Sequence, residues 1–382
     1  MGSAESQPER ISPLRRAWTL FDELRAAPDS LLNPRNGCIP TDVVDYLLQP
    51  MVCVPHLLVF GLVDPARKQP THVGLPHNGT AALPLSACRQ SEWIVLAEHL
   101  SRHTQVLARG RDDVIMIGGS NGARSTLYSV RSNRWRDGPV MPFGRRSFGA
   151  VTLGVAGYGS LVCGGWDGTS MTASVLRLPP EFCERQESDL GGSSTGWLGG
   201  GGWFGGGTAQ WQAVASLPQA RSNAGAALVG GDHAGHTVAL VGGQSGNDGC
   251  RSSLLFDAVA DRWTPLAAQL PLAGTMLSCA SSCVSVANGA VLALDGTYSL
   301  LLDARCSSWT SVRRPEPRWS ACAVALDACR VALLGGLTSS DDVSQTVQIW
   351  DARSDCWVVN DDWALPTRSS LLCCPCHAGI VV

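Results

Sequence analysis

A glycine pair at the end of a short apolar run, repeated at near-regular intervals, limits the chain to few architectures. Val114-Ile115-Met116-Ile117-Gly118-Gly119 is followed by Tyr128 and, seven residues later, by Trp135. The pattern returns at Gly242-Gly243 with Phe256 and Trp263, and at Gly335-Gly336 with Trp350 and Trp357. Weaker copies fill the gaps. Gly164-Gly165 precedes Trp211, Asp295-Gly296 precedes Leu302 and Trp309, and the single Gly61 precedes Trp93. Tryptophans at 93, 135, 211, 263, 309 and 357 therefore mark six units.

Each unit reads as four strands. The apolar runs are short, rich in β-branched and aliphatic residues, and bounded by Gly, Pro, Asn and Asp, so they are strands rather than helices. A glycine pair at a strand end suits positive φ or close backbone approach. The tryptophan supplies a large apolar plate to bury against a neighbour. One four-stranded unit leaves both faces bare, whereas six units around an axis cover each other and leave only short edges.

The doublet, the aromatic and the tryptophan resemble the kelch repeat, over about residues 55 to 382. The resemblance implies a six-bladed β-propeller of four-stranded antiparallel blades, used mostly to bind proteins and in a minority of cases as an enzyme. The strand left over near the C-terminus, from Arg368 to Cys374, is expected to supply the missing inner strand of the first unit. N- and C-terminal strands would then share one sheet.

Residues 1–54 read as a separate helical and flexible segment. Ala17, Leu20, Phe21 and Leu24 lie at helical spacing between Pro13 and Pro28; Val43, Val44, Leu47 and Leu48 follow a Pro40-Thr41-Asp42 start and end at Pro50. The Ile39–Leu48 stretch resembles the start of an F-box, which implies docking on a ubiquitin-ligase scaffold; the other reading is a cap packed on the propeller. Residues 183–210 carry a run of glycines with Trp197, Trp203 and Phe204. They read as a mobile insertion between the third and fourth strands of the Trp211 unit.

After five of the six tryptophans an arginine opens the next strand: Arg102, Arg146, Arg221, Arg318 and Arg368. The sixth unit has Thr275 there. In kelch propellers this strand is innermost, which implies that the arginines gather at one mouth of the axis. Guanidinium forks gathered there suit carboxylate or phosphate; alternatively each bonds carbonyls or a carboxylate of a neighbouring unit.

No glycine doublet is a phosphate loop, because none is followed by Lys-Ser/Thr. No Gly-x-Ser-x-Gly elbow occurs, and four tyrosines are too few for copper-oxidase chemistry. Cys373-Cys374-Pro375-Cys376-His377 is the densest metal-like cluster, but no second cysteine pair at zinc spacing accompanies it. His233 and His236 are two ligands at most. Catalysis, metal and cofactor are therefore not expected. Net charge is −3, so no overall field favours nucleic acid. No leader-like segment opens the chain and no apolar run is long enough to span a bilayer, so an intracellular location, cytoplasmic or nuclear, is expected. Met1-Gly2-Ser3-Ala4-Glu5-Ser6 fits the minimal myristoylation pattern without an adjacent basic cluster. The expected role is a non-enzymatic scaffold that binds an acidic or phosphorylated protein segment on its arginine-bearing face. The alternative is substrate recognition for a ubiquitin ligase.

Overall fold

The computed structural model describes residues 105–109, 113–118, 122–129, 133–153, 159–179, 210–229, 235–246, 248–271, 283–286, 289–294, 298–313, 316–318, 321–336, 338–339 and 344–365 with their side chains, and the strands 56–62, 78–84, 94–99 and 378–381 by backbone. The helices expected within 12–54, Gly119, Trp93, Thr275, Arg102, Arg368, the 373–377 cysteine cluster and all of the 183–210 insertion but Gln210 lie outside the described residues. Among the described residues no α-helix occurs; a 3-10 turn spans Asp361–Trp363.

The protein is an all-β propeller. Five stretches of chain each fold into a four-stranded antiparallel blade. Blade A comprises Gln105–Arg109, Asp113–Ile117, Ser125–Ser129 and Arg134–Asp137. Blade B comprises Gly149–Thr152, Ser160–Cys163, Val175–Leu178 and Gln212–Val214. Blade C comprises Gly225–Val229, Thr237–Val241, Ser253–Asp257 and Arg262–Pro265, with a small hairpin of Gln244–Ser245 and Asp248–Gly249. Blade D comprises Cys283–Ser285, Ala290–Leu294, Ser299–Asp303 and Ser308–Ser311, and blade E Cys322–Ala325, Arg330–Leu334, Val347–Asp351 and Cys356–Asn360.

The two ends of the chain share a further sheet, in the order Ala378–Val381, His56–Leu62, Asn78–Pro84, Ile94–His99. Leu57 pairs with Val381 and Phe60 with Ala378, antiparallel. The closing strand is thus Ala378–Val381 rather than the 368–374 run expected from the sequence. First strands of successive blades are neighbours, and Ala378–Val381 lies between those of blades E and A, so the circuit of innermost strands is closed.

Burial follows from this stacking. Second strands are covered on both faces, so they read as continuous apolar runs rather than alternating ones. In Thr237–Val241 and Ala290–Leu294 every residue after the first is buried. Outer strands such as Arg134–Asp137 have no buried residue. Between blades B and C, Leu161, Cys163 and Val175 pack with Val238, Leu240, Phe256 and Trp263.

The insertion leaves its blade intact. Val175–Leu178 and Gln212–Val214 pair directly, Val175 opposite Val214, although the insertion separates them in sequence. Deleting residues 189–207 is therefore expected to change Tm by less than about 3 °C, since closure entropy varies slowly with loop length. A thermal melt of the deletion variant that drops well beyond this would show that Trp197 and Trp203 belong to the core.

Candidate functional site

The glycine doublets end the second strands, at the same end of each blade as the lead-in to the first strand. Gly164 and Gly165 show why two glycines are needed. Both have positive φ, 63° and 106°. A Cβ on Gly164 would lie 2.4 Å from the carbonyl oxygen of Arg221, in the lead-in of the next blade. One on Gly165 would lie 2.8 Å from that of Arg146, in the lead-in of its own blade. The pair is held between two passing chains, and the first glycine is a blade-to-blade contact. Gly118, Gly242, Gly243, Gly335 and Gly336 also have positive φ.

The arginines are set by these doublets. Arg221 is 2% exposed. Its Nη1 donates to Gly242 O at 3.2 Å and Ser252 O at 3.1 Å, and its Nη2 to Ser252 Oγ at 3.0 Å. Arg318, also buried, donates from Nη1 to Gly335 O at 3.4 Å and Thr346 O at 2.7 Å, and from Nη2 to Thr346 Oγ1. Blade B repeats the arrangement with Arg145, not Arg146: its Nη1 reaches Gly164 O at 3.1 Å and Ser174 O at 3.0 Å, and its Nη2 reaches Ser174 Oγ at 3.1 Å.

Arg146 is the residue the sequence singled out, and the structure places it elsewhere. Its backbone pairs with Trp166 in the position where Ser222 pairs with Gln244 in blade C, and its side chain is exposed. The Arg-Ser match that aligned Arg146 with Arg221 is one residue out of register. Ser147 and Asn223, both at φ 56°, fix the true alignment. Of the described members of the expected arginine set, Arg221 and Arg318 are committed inside their own blades and Arg146 faces solvent.

Burial lowers the pKa of all three internal guanidiniums, that of Arg145 to about 10. Among the described residues Arg318 alone of the three has a carboxylate within 4.0 Å, the exposed Glu316 at 3.9 Å. The Arg145 guanidinium also lies 4.5 Å from the centre of the Phe143 ring, which is 39% exposed. This end of blade B therefore presents an exposed arginine and an exposed aromatic ring backed by a buried cation. Asp167 opposes them; backbone N–H groups of Ser170 and Thr169 hold its carboxyl down at about 2.

The tryptophans form a second recurring site, at the rim. The spacing of seven is a cross-strand register: Tyr128 faces Trp135, Phe256 faces Trp263, Leu302 faces Trp309 and Trp350 faces Trp357. Ring centroids are 4.7 Å apart in the first pair and 4.8 Å in the second. Trp211 and Trp263 are buried, whereas Trp135, Trp309 and Trp357 are only half-buried, less than a core plate would be. Three of the indoles bond to the preceding blade. Trp211 Nε1 donates to Pro139 O at 3.0 Å, Trp263 Nε1 to Ala215 O at 2.8 Å and Trp357 Nε1 to Arg313 O at 2.8 Å. Each acceptor is the residue four after the preceding blade's own tryptophan.

A residue two before the tryptophan adds a second prong, which the sequence reading missed. Asp261 and Asp355 have φ of 47° and 46°. Asp261 Oδ1 accepts from Ala215 N at 2.9 Å, and Asp355 Oδ1 from Arg313 N at 3.1 Å. Ala215 of blade B and Arg313 of blade D are thus each held at both N–H and C=O by the next blade. The recurring Asp, Ser or Asn before the tryptophan was the available signal.

An acidic residue six before the tryptophan closes the same turns. Asp303 accepts hydrogen bonds from Arg305 and Asp351 from Arg353, and both carboxyls are held down at about 2. Their folded pKa lies below the unfolded value of about 3.9, so their contribution is present above that value and lost as pH falls towards about 2. The double variant Asp303→Asn/Asp351→Asn is expected to lose less Tm than the parent between pH 4 and pH 2. Melts with the same acid slope in both proteins would remove these turns from the acid response.

No protein-family model matches the chain, and no curated protein matches it. Among the described residues no helix is long and apolar enough to cross a membrane.

Proposed function

We propose that the chain is a six-bladed, kelch-type propeller acting as a non-enzymatic protein-interaction module, with an acidic partner segment seated at the glycine-doublet end. The closed circuit of innermost strands supports the blade count. The observation that carries the binding face is its charge. Three guanidiniums are buried at that end, two of them with no carboxylate within 4.0 Å among the described residues, and Arg146 is exposed beside them. Buried charge in a low-dielectric surround projects potential to the surface above it. Exposed Phe143, whose ring centre lies 4.5 Å from the Arg145 guanidinium, adds the aromatic and arginine pairing typical of interface anchors.

The test is binding of a peptide array of graded charge to the full chain. Acidic and phosphorylated peptides should be retained, and retention should fall as salt rises. Arg146→Glu should weaken it about tenfold, mainly through slower association. Retention indifferent to peptide charge, or unaltered in Arg146→Glu, would move the site to another face. Capture of a ubiquitin-ligase scaffold that depends on residues 12–54 would assign the ligase role instead.

A further inference from the structure

We propose that the ring opens at the seam between blades C and D, hinged near the axis and parting at the rim. The B–C and D–E seams each carry the two-pronged clip, an aspartate on the N–H and an indole on the C=O of one residue. At the C–D seam the aspartate is replaced by Ser307, whose Oγ accepts from Ala268 N at 3.1 Å. Trp309 Nε1, the second prong, is buried without an acceptor among the described residues. The C–D seam therefore keeps one neutral hydrogen bond where its neighbours have a charge-assisted bond and an indole bond, which is a weaker tie.

The core of the seam points the same way. Its buried residues are Ala227, Ala239, Val241, Leu270, Val291, Ala293, Leu300 and Leu302. It is the one described cluster with no buried aromatic; the others bury Phe148, Trp211, Phe256, Trp263, Trp350 or Trp363. Its two rings, Tyr298 and Trp309, are only partly buried against it, so less aromatic area is separated from water than in a seam with a buried ring. The facing residue of Trp309 is Leu302 rather than an aromatic. Near the axis the seam is tied: Ser285 Oγ donates to Leu228 O at 2.6 Å, between the innermost strands. A tie inside and a missing clip outside define a hinge and the side that parts.

The test is hydrogen exchange on the full chain, read by peptide mass. Amides of 299–311 are expected to exchange at least about tenfold faster than those of 253–265 and 347–360, as a locally opening unit does. Ser307→Asp, which restores the missing prong, should slow 299–311. Asp355→Ser, which copies the weak seam into blade E, should speed 347–360. Exchange in 299–311 as slow as in the flanking blades would overturn the proposal. So would a Ser307→Asp variant whose blade D exchanges no more slowly than the parent's.

Discussion

Arg221→Ala is expected to lower the free energy of unfolding by about 3–5 kcal/mol, whereas Arg146→Ala should stay within about 0.5 kcal/mol. The two residues occupy adjacent repeat positions, and environment alone separates them. Truncating Arg221 strands the carbonyls of Gly242 and Ser252 and the Ser252 hydroxyl, and empties a fully buried site. Each stranded acceptor costs about 1–3 kcal/mol. Against this stands relief of the desolvation that lowers the Arg221 pKa, worth several kcal/mol at most. Three lost bonds and a cavity outweigh it. Arg221→Met keeps the volume but not the donors, and should remain well below the parent. Arg221→Lys should recover little, because a single ammonium cannot reproduce the fork. Urea unfolding followed by tryptophan fluorescence measures all four. An Arg221→Ala variant as stable as the parent would end the structural account and return Arg221 to the binding face.

The rim bonds make the second large effect. Trp263→Ala should cost about 3–5 kcal/mol, because it empties the side chain from the B–C core and removes the indole prong of the clip. Trp263→Phe keeps a ring but leaves the Ala215 carbonyl without its donor, for about 1–2 kcal/mol. The informative comparison is Trp309→Phe. Its indole N–H is buried without an acceptor among the described residues, so removing it relieves a desolvated donor, and the net change should be within about 1 kcal/mol. Equal losses for the two Trp→Phe variants would show that ring volume matters at the rim and the blade-to-blade bond does not.

How far the chain could be read depended on whether a feature was local or relational. The doublets, the apolar runs and the seven-residue spacing are local, and they led to blades with the right strands. The spacing proved to be a register, Phe256 opposite Trp263 across a hairpin. The closing strand was misplaced because both 368–374 and 378–381 are apolar, and only pairing with His56–Leu62 distinguishes them. The arginine register failed at Arg145-Arg146, where two identical residues offer no choice to pattern matching. Their difference lies in the positive φ of Ser147 and in the carbonyls of Gly164 and Ser174. The direction of the Arg221 and Arg318 forks, into the blade rather than out of it, was an open alternative in the sequence and depends on the glycine carbonyls ending the second strands. The clip aspartates stand before only two of the six tryptophans, Asp261 and Asp355, and their partners belong to another blade, so nothing nearby in sequence suggests them.

The sheet shared by the chain ends has a consequence for biosynthesis. His56–Leu62 is made early, yet its partner Ala378–Val381 is made more than 300 residues later. Until then the early sheet carries an unpaired inner edge, and an exposed edge is a template for wrong pairing. Loop-closure entropy adds only modestly over so long a separation, so the hazard is one of waiting time rather than of final stability. Joining residues 56 and 381 through a short linker and opening the chain within the insertion would make both strands emerge together. Such a permuted chain should aggregate less during synthesis than the natural order does.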